Sequence, residues 1–213
     1  MSRRIGLRWM VVALTLSIVA PLGVLSLISL QRTWRRQRAN VDRQNVATAR
    51  AVSVAIDTEV ETTTAALDVL GALRALDGPD IPAFESLASR LILRQPDWTG
   101  LLLADVHGRV LSVIPKTDAN EPASVANGWP QAVGATKKRV VSTLFEIPGM
   151  RGHFITIAVP VIRDGRVTLA LGARVRADSF GAILRRQQVP SNGIVGLIDA
   201  SHRMVARNRG EET

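Results

Sequence analysis

The apolar positions of this chain fall into successive patterns, and each pattern predicts its own element. From Trp9 to Gln31 no residue is charged, and Val, Leu and Ile dominate. As a helix that run spans about 34 Å, enough for a bilayer core of about 30 Å. Pro21 and Gly23 lie inside it, which membrane helices tolerate better than soluble ones. Ser26 to Leu30 offers no A-x-A cleavage pattern, so the run reads as an uncleaved anchor rather than a signal peptide.

Over 32–76 the period changes. Val41, Val52, Ile56, Val60, Thr63, Leu67, Leu70 and Leu73 recur at three- and four-residue spacings, the stripe of an amphipathic helix. Such a helix reaches roughly 65 Å. Helices of that length usually pack on a partner, which favours pairing with a second copy over packing wholly on its own domain. Asp77-Gly78-Pro79-Asp80 stops it with turn chemistry. Ile81 to Gln95 then predicts a shorter helix, with Phe84, Leu87, Leu91 and Ile92 on one side.

Beyond residue 97 the pattern becomes that of strands. Thr99–Val106 and Arg109–Ile114 flank His107-Gly108 as a β-hairpin. Residues 115–139 are polar, with a short helix over Trp129–Ala135. Arg139–Phe145 predicts a third strand. His153–Ile162 and Arg166–Val175 predict a fourth and a fifth, turned by Arg163-Asp164-Gly165. Asp178–Gln188 reads as a helix with Asp178 near its start as cap. Gly193–Ala200 and Arg203–Arg207 form a last hairpin around Ser201-His202. Hairpins imply antiparallel pairing, because parallel strands need long crossovers. The predicted fold class is α+β: a five-stranded antiparallel sheet covered by helices on one face, preceded by a transmembrane and a long amphipathic helix.

Composition narrows the function. Hydrophobic residues make up 46% and charged residues 21% of the 213, which excludes a disordered chain. Cysteine is absent, which removes disulfides, Cys-ligated metals and thiol nucleophiles. The net charge of +9 is carried by arginine far more than lysine. Much of it flanks the apolar run: Arg3, Arg4 and Arg8 before it, and Arg32, Arg35, Arg36, Arg38 and Arg43 after it. A cluster there fits anionic lipid headgroups better than nucleic acid, since only Trp34 interleaves it. By arginine count alone, the part after the run would be cytoplasmic.

The strand-forming segments carry a resemblance. Trp98-Thr-Gly-Leu-Leu-Leu-Ala-Asp105-Val-His-Gly108-Arg109-Val, Val141-Ser-Thr-Leu-Phe-Glu146 and Phe154-Ile-Thr-Ile-Ala-Val-Pro160-Val-Ile-Arg-Asp164-Gly165-Arg-Val come in this order. Leu184-Arg-Arg-Gln-Gln-Val-Pro190 and Gly196-Leu-Ile-Asp199-Ala-Ser-His-Arg-Met-Val-Ala-Arg207 follow. Over about residues 85–210 the chain resembles the extracytoplasmic, PAS-like Cache sensor domains, and within them the double-Cache input region of HWE-type sensor histidine kinases. His202 stands where that family usually has glycine.

The resemblance implies a domain plan: a cytoplasmic basic N-terminus (1–8), the membrane span (9–31), a signalling and dimerisation helix (32–76) and a membrane-distal Cache module (77–176). A connecting helix (177–192) and the opening hairpin of an incomplete second module (193–213) complete it. It implies a bacterial inner-membrane protein with residues 32–213 periplasmic, and an N-terminal fragment or truncated product of a sensor kinase. A chemoreceptor, a diguanylate cyclase input region and a non-sensing envelope protein are the alternatives.

The chemistry predicted is binding rather than catalysis. His107, His153 and His202 lack metal-ligand spacing, and no nucleophile, phosphate-loop or zinc-protease motif occurs. Asp105, Asp164 and Asp199 each adjoin a hairpin turn, where aspartate is ordinary turn chemistry. No catalytic residue, metal or cofactor is therefore expected. In Cache folds the pocket lies between the sheet and the segment crossing it, here about Lys116–Lys138. The candidate ligand contacts are Trp129, Arg151 and His153, the last two offering donors to a small-molecule carboxylate. The amino-acid-binding Cache domains use tyrosines, and this chain has none.

Overall fold

The computed structural model describes residues 44–78, 80–116, 127–187 and 193–209. The predicted membrane span over 9–31 and the start of the long helix lie outside these residues. Among the described residues, no helix is long and apolar enough to cross a membrane. The chain divides into a unit over Met1–Thr48 and a compact unit over Ala49–Thr213. Of the former only 44–48 are described, and they are helical.

Helix α1 (44–71) buries Val52, Thr63, Leu67 and Leu70, with Ile56 and Val60 partly covered beside them. Its C-terminal carbonyls are satisfied from a distance. Arg163 Nη2 donates to the carbonyls of Gly71 at 2.9 Å and Leu73 at 3.2 Å. The same guanidinium ion-pairs with Asp77. A cation at this end also complements the helix dipole. A 3-10 turn (Arg74–Leu76) leads on to α2 (Ile81–Ile92). There Asp80 Oδ1 accepts from the Ala83 amide at 3.1 Å as the N-cap. Phe84 and Ala88 of α2 enter the core.

Strands β1 (Trp98–Asp105) and β2 (Val110–Ile114) form the first hairpin, followed by α3 (Trp129–Thr136). Next come β3 (Val140–Val141), β4 (Phe145–Glu146), β5 (His153–Arg163), β6 (Arg166–Arg176) and α4 (Ala177–Arg186). The last hairpin is β7 (Gly196–Ile198) with β8 (Met204–Arg207). The main sheet is antiparallel in the order β2-β1-β6-β5-β3, and β4 also pairs with β5.

The third predicted strand is thus two short ones sharing an edge. The break has a cause. Ser142 exchanges backbone and side-chain hydrogen bonds with Thr156, while the Leu144 amide turns away to Asp199. Asp178 is not the N-cap of α4. Arg176 holds that position without a side-chain bond, and Asp178 lies in the first turn, where a carboxylate meets the helix dipole.

Helices cover both faces of the sheet rather than one. On one face Leu101, Leu103, Ile157, Val159, Leu171 and Val175 pack against α1, α2 and Phe180 and Leu184 of α4. On the other, Leu102, Ala104, Ala158 and Ala170 pack against Trp129 and Val133 of α3. Double coverage is why β1, β5 and residues 170–175 of β6 are buried almost continuously instead of alternately. The β7–β8 hairpin lies on α4, with Ala206 inside the main core.

Candidate functional site

The face beneath α3 combines Leu102 with a set of small residues. Gly100 and Ala104 come from β1, Ala158 from β5, and Ala170 and Gly172 from β6. Their smallness admits two large side chains. A β-carbon on Gly172 would stand 3.0 Å from Trp129 Cη2, and one on Gly100 would stand 2.7 Å from Arg174 Nη2. Trp129 is 0% exposed and Arg174 only 1%.

Among the described residues, Arg174 is the one charged residue that is buried as a whole, backbone and side chain together. Its Nε donates to Thr99 Oγ1 at 3.2 Å and its Nη2 to the Thr99 carbonyl at 3.1 Å. The Thr99 hydroxyl in turn donates to the Arg174 carbonyl at 3.2 Å. The guanidinium carbon lies 5.9 Å from the centroid of the Phe154 ring, within cation–π range. Taking a guanidinium out of water is costly unless it is hydrogen-bonded and charge-compensated, so its placement here is specific.

Thr156 is the register partner of Arg174. Its side chain is fully buried, and Oγ1 has no hydrogen-bond partner among the described residues. The Thr156 amide donates to Ser142 Oγ at 2.8 Å, and the Ser142 amide returns to the Thr156 carbonyl at 2.8 Å. Asn127 Nδ2 donates to the Thr143 carbonyl at 3.4 Å, tying the approach to α3 to the same edge.

The three residues singled out from the sequence do not converge. Trp129 lies under α3 in the small-residue cluster. His153 stands at the start of β5 with its side chain 52% exposed and Nε2 2.9 Å from Glu146 Oε1. It lines an open cleft with Glu146, Ile147, Pro148, Met150 and Gly152, away from Trp129. Arg151 is exposed in the loop before it. The buried donor is instead Arg174, one position of the predicted fifth strand. The available signal was an arginine set within Leu171-Gly-Ala-Arg174-Val175, where its neighbours on both sides are apolar or small.

The turn aspartates behave as turn residues. Backbone amides, led by that of Arg109, hold the Asp105 carboxyl below its ordinary range. The Leu144 amide, then that of Arg203, does the same for Asp199. Lys116 and Ser112 lower Glu85, which bonds both and fastens α2 to β2. His107 and His202 are exposed hairpin-tip residues. His202 adopts φ +60°, the left-handed conformation that explains the glycine expected there. Among the described residues, no group of three His, Asp or Glu is placed to hold a metal.

No family model and no curated protein matches this chain. Solved structures do. The ligand-binding domain of Pseudomonas fluorescens chemoreceptor CtaA in complex with L-isoleucine aligns with TM-score 0.64 at 14% identity, over 81% of this chain and 71% of that one. The ligand-binding domain of Campylobacter jejuni chemoreceptor Tlp3 in complex with L-valine aligns with TM-score 0.60 at 14% identity, over 80% and 72%. That of Pseudomonas aeruginosa chemoreceptor PctC in complex with GABA aligns with TM-score 0.54 at 17% identity, over 71% and 70%. The likeness is one of fold: this α+β arrangement, an antiparallel sheet covered by helices, is shared with these three domains.

Proposed function

We propose that this chain is the extracytoplasmic ligand-sensing input region of a membrane-anchored signalling protein, and that its ligand is a small carboxylate. The observation that carries the reading is Arg174, a guanidinium 1% exposed on the small-residue face beneath Trp129. A planar guanidinium matches the two oxygens of a carboxylate better than any other side chain does. The structurally similar domains hold GABA, L-valine and L-isoleucine, each of which carries a carboxylate. The region acts by binding, without catalysis.

The test is a thermal-shift screen of the full chain against mono- and dicarboxylates and amino acids, repeated with Arg174→Met. A saturable shift lost in the variant is expected. A shift of equal size in the variant, or none from any carboxylate, would overturn the reading.

The output is a histidine kinase or a chemoreceptor. The order of the sequence segments favours the kinase, and the structural neighbours favour the chemoreceptor at least as well. Sequencing the DNA beyond the Thr213 codon separates them. The receptor works as a homodimer through the outer face of α1. Ala51, Val54, Thr58, Thr62, Ala65 and Val69 follow one another there at three- and four-residue spacings, all exposed. The Thr58 and Thr62 hydroxyls bond back to the Val54 and Thr58 carbonyls at 2.7 and 2.8 Å, so their donors are satisfied within the helix. A self-complementary seam of small residues suits close approach of a second copy. Because the chain has no cysteine, Val69→Cys gives a clean test: rapid disulfide cross-linking in the membrane is expected, and its absence would count against the pairing.

A further inference from the structure

Two hairpins of this chain are built on one plan. At the β1–β2 turn, Asp105 Oδ1 accepts from the His107 and Arg109 amides, each at 2.9 Å. The backbone closes with Asp105 N to Arg109 O at 2.9 Å and Gly108 N to Asp105 O at 3.1 Å. At the β7–β8 turn, Asp199 Oδ1 accepts from the Ser201 amide at 2.8 Å and the Arg203 amide at 2.9 Å. The same two backbone bonds recur there at 2.9 and 3.0 Å. In both, the following arginine approaches Oδ2 through Nε, at 3.2 Å for Asp105 and 3.5 Å for Asp199. One carboxylate oxygen therefore suffices to build the turn.

The hairpins differ at the other oxygen. Asp199 Oδ2 accepts from the Leu144 amide at 2.8 Å, across 55 residues of sequence. The Asp199 side chain is 4% exposed, against 19% for Asp105. This bond lands on the segment that borders the Arg174 face. Two residues before Leu144, Ser142 is hydrogen-bonded to Thr156, the register partner of Arg174. One residue after it, Phe145 packs on Phe154, the ring beneath the Arg174 guanidinium, with centroids 6.2 Å apart.

We propose that Asp199 is a coupling residue: through the Leu144 amide it transmits rearrangement of the Arg174 face to the β7–β8 hairpin. The proposal rests on reading that face as the ligand site, and it adds the route by which occupancy leaves the site. A bond from a backbone amide to an ionised carboxylate is stronger than a neutral one. A tertiary bond of this kind links the equilibria of the two elements it joins.

The experiment is residue-level hydrogen exchange on the full 213-residue chain. Asp199→Asn keeps an oxygen for the turn but presents its NH2 group to the Leu144 N–H, so donor meets donor. Asp105→Asn makes the same change at the twin hairpin, which lacks the long-range bond. Losing one charge-assisted bond should speed Leu144 exchange by about tenfold or more in Asp199→Asn and leave it within about twofold in Asp105→Asn. Leu144→Pro removes the donor from the other side, so the proposal stays testable if Asp199→Asn does not fold. It should loosen the 196–206 amides to a similar degree.

The coupling itself is read with Arg174→Met, which perturbs the face without needing a ligand. That variant should change exchange over 196–206 by about threefold or more, and the change should vanish when Asp199→Asn is added. Unchanged Leu144 exchange in Asp199→Asn would overturn the proposal. So would a hairpin response to Arg174→Met that is absent, or that is equal with and without Asp199. Failure of every carboxylate to bind, with this coupling intact, would overturn the ligand reading instead.

Discussion

Gly172 and Trp129 occupy each other's space: a β-carbon on the glycine would stand 3.0 Å from Cη2 and 3.2 Å from Cζ2 of the indole. The same β-carbon would lie 2.7 Å from Thr156 Cγ2. Gly172→Ala should therefore destabilise the unit by about 1–3 kcal/mol, the usual cost of overpacking a core. Adding Thr156→Ser removes the nearest methyl and should restore part of the loss. Urea denaturation of the single and double variants measures both, and full additivity would show that the crowding lies elsewhere.

Arg163 should matter more than the ion pair it makes. Its Nη2 bonds the carbonyls of Gly71 and Leu73 at the end of α1, whereas Asp77 is half exposed. Arg163→Ala is expected to cost about 1–3 kcal/mol through the lost charged hydrogen bonds. Asp77→Asn is expected to cost under about 1 kcal/mol, as exposed ion pairs do. Equal losses would mean that the ion pair, not the helix end, is what Arg163 supports.

Acid should loosen the β1–β2 and β7–β8 hairpins. Asp105 and Asp199 are both held below their ordinary range, the first chiefly by the Arg109 amide and the second chiefly by the Leu144 amide. A depressed carboxyl contributes stability above its unfolded pKa, about 4, and that contribution is lost as pH falls through the lower folded value. Glu85 adds to the same trend through Lys116 and Ser112. Glu59 and Asp68 oppose it, since burial raises both. Urea midpoints between about pH 2 and 6 should fall on acidification, and less steeply in Asp105→Asn. Parallel curves for the two proteins would sink this account of Asp105.

Arg151→Ala and His153→Ala should leave ligand binding unchanged. His153 is half exposed and pairs with the exposed Glu146, and Arg151 is exposed. Each substitution should shift stability by no more than about 0.5 kcal/mol, as surface changes do. Loss of a carboxylate-induced thermal shift in either variant would move the site to the 146–153 cleft.

What was legible in the sequence was legible because it is local. The long stripe through Val52, Ile56, Val60, Thr63, Leu67 and Leu70 faces the core along α1 as the three- and four-residue spacing requires. Asp105 to Arg109 and Asp199 to Arg203 close their turns with bonds inside five residues, and Arg163-Asp164-Gly165 joins β5 to β6. The long hairpin positions thus needed no knowledge of the rest of the chain.

Burial of Arg174 needed that knowledge. It depends on β6 lying between β1 and β5, which brings Thr99 and Phe154 to its sides from 75 and 20 residues away. Coverage of the second face depends on α3 crossing the sheet, and this turned β5 from an alternating strand into a buried one. The split of the third strand depends on Asp199 taking the Leu144 amide. The sequence alone determined the element types, the hairpins and the α+β class, because spacing and turn chemistry act within a few residues. Only the tertiary structure decided which polar groups are buried and what they face, because burial is set by whichever distant strand or helix packs alongside.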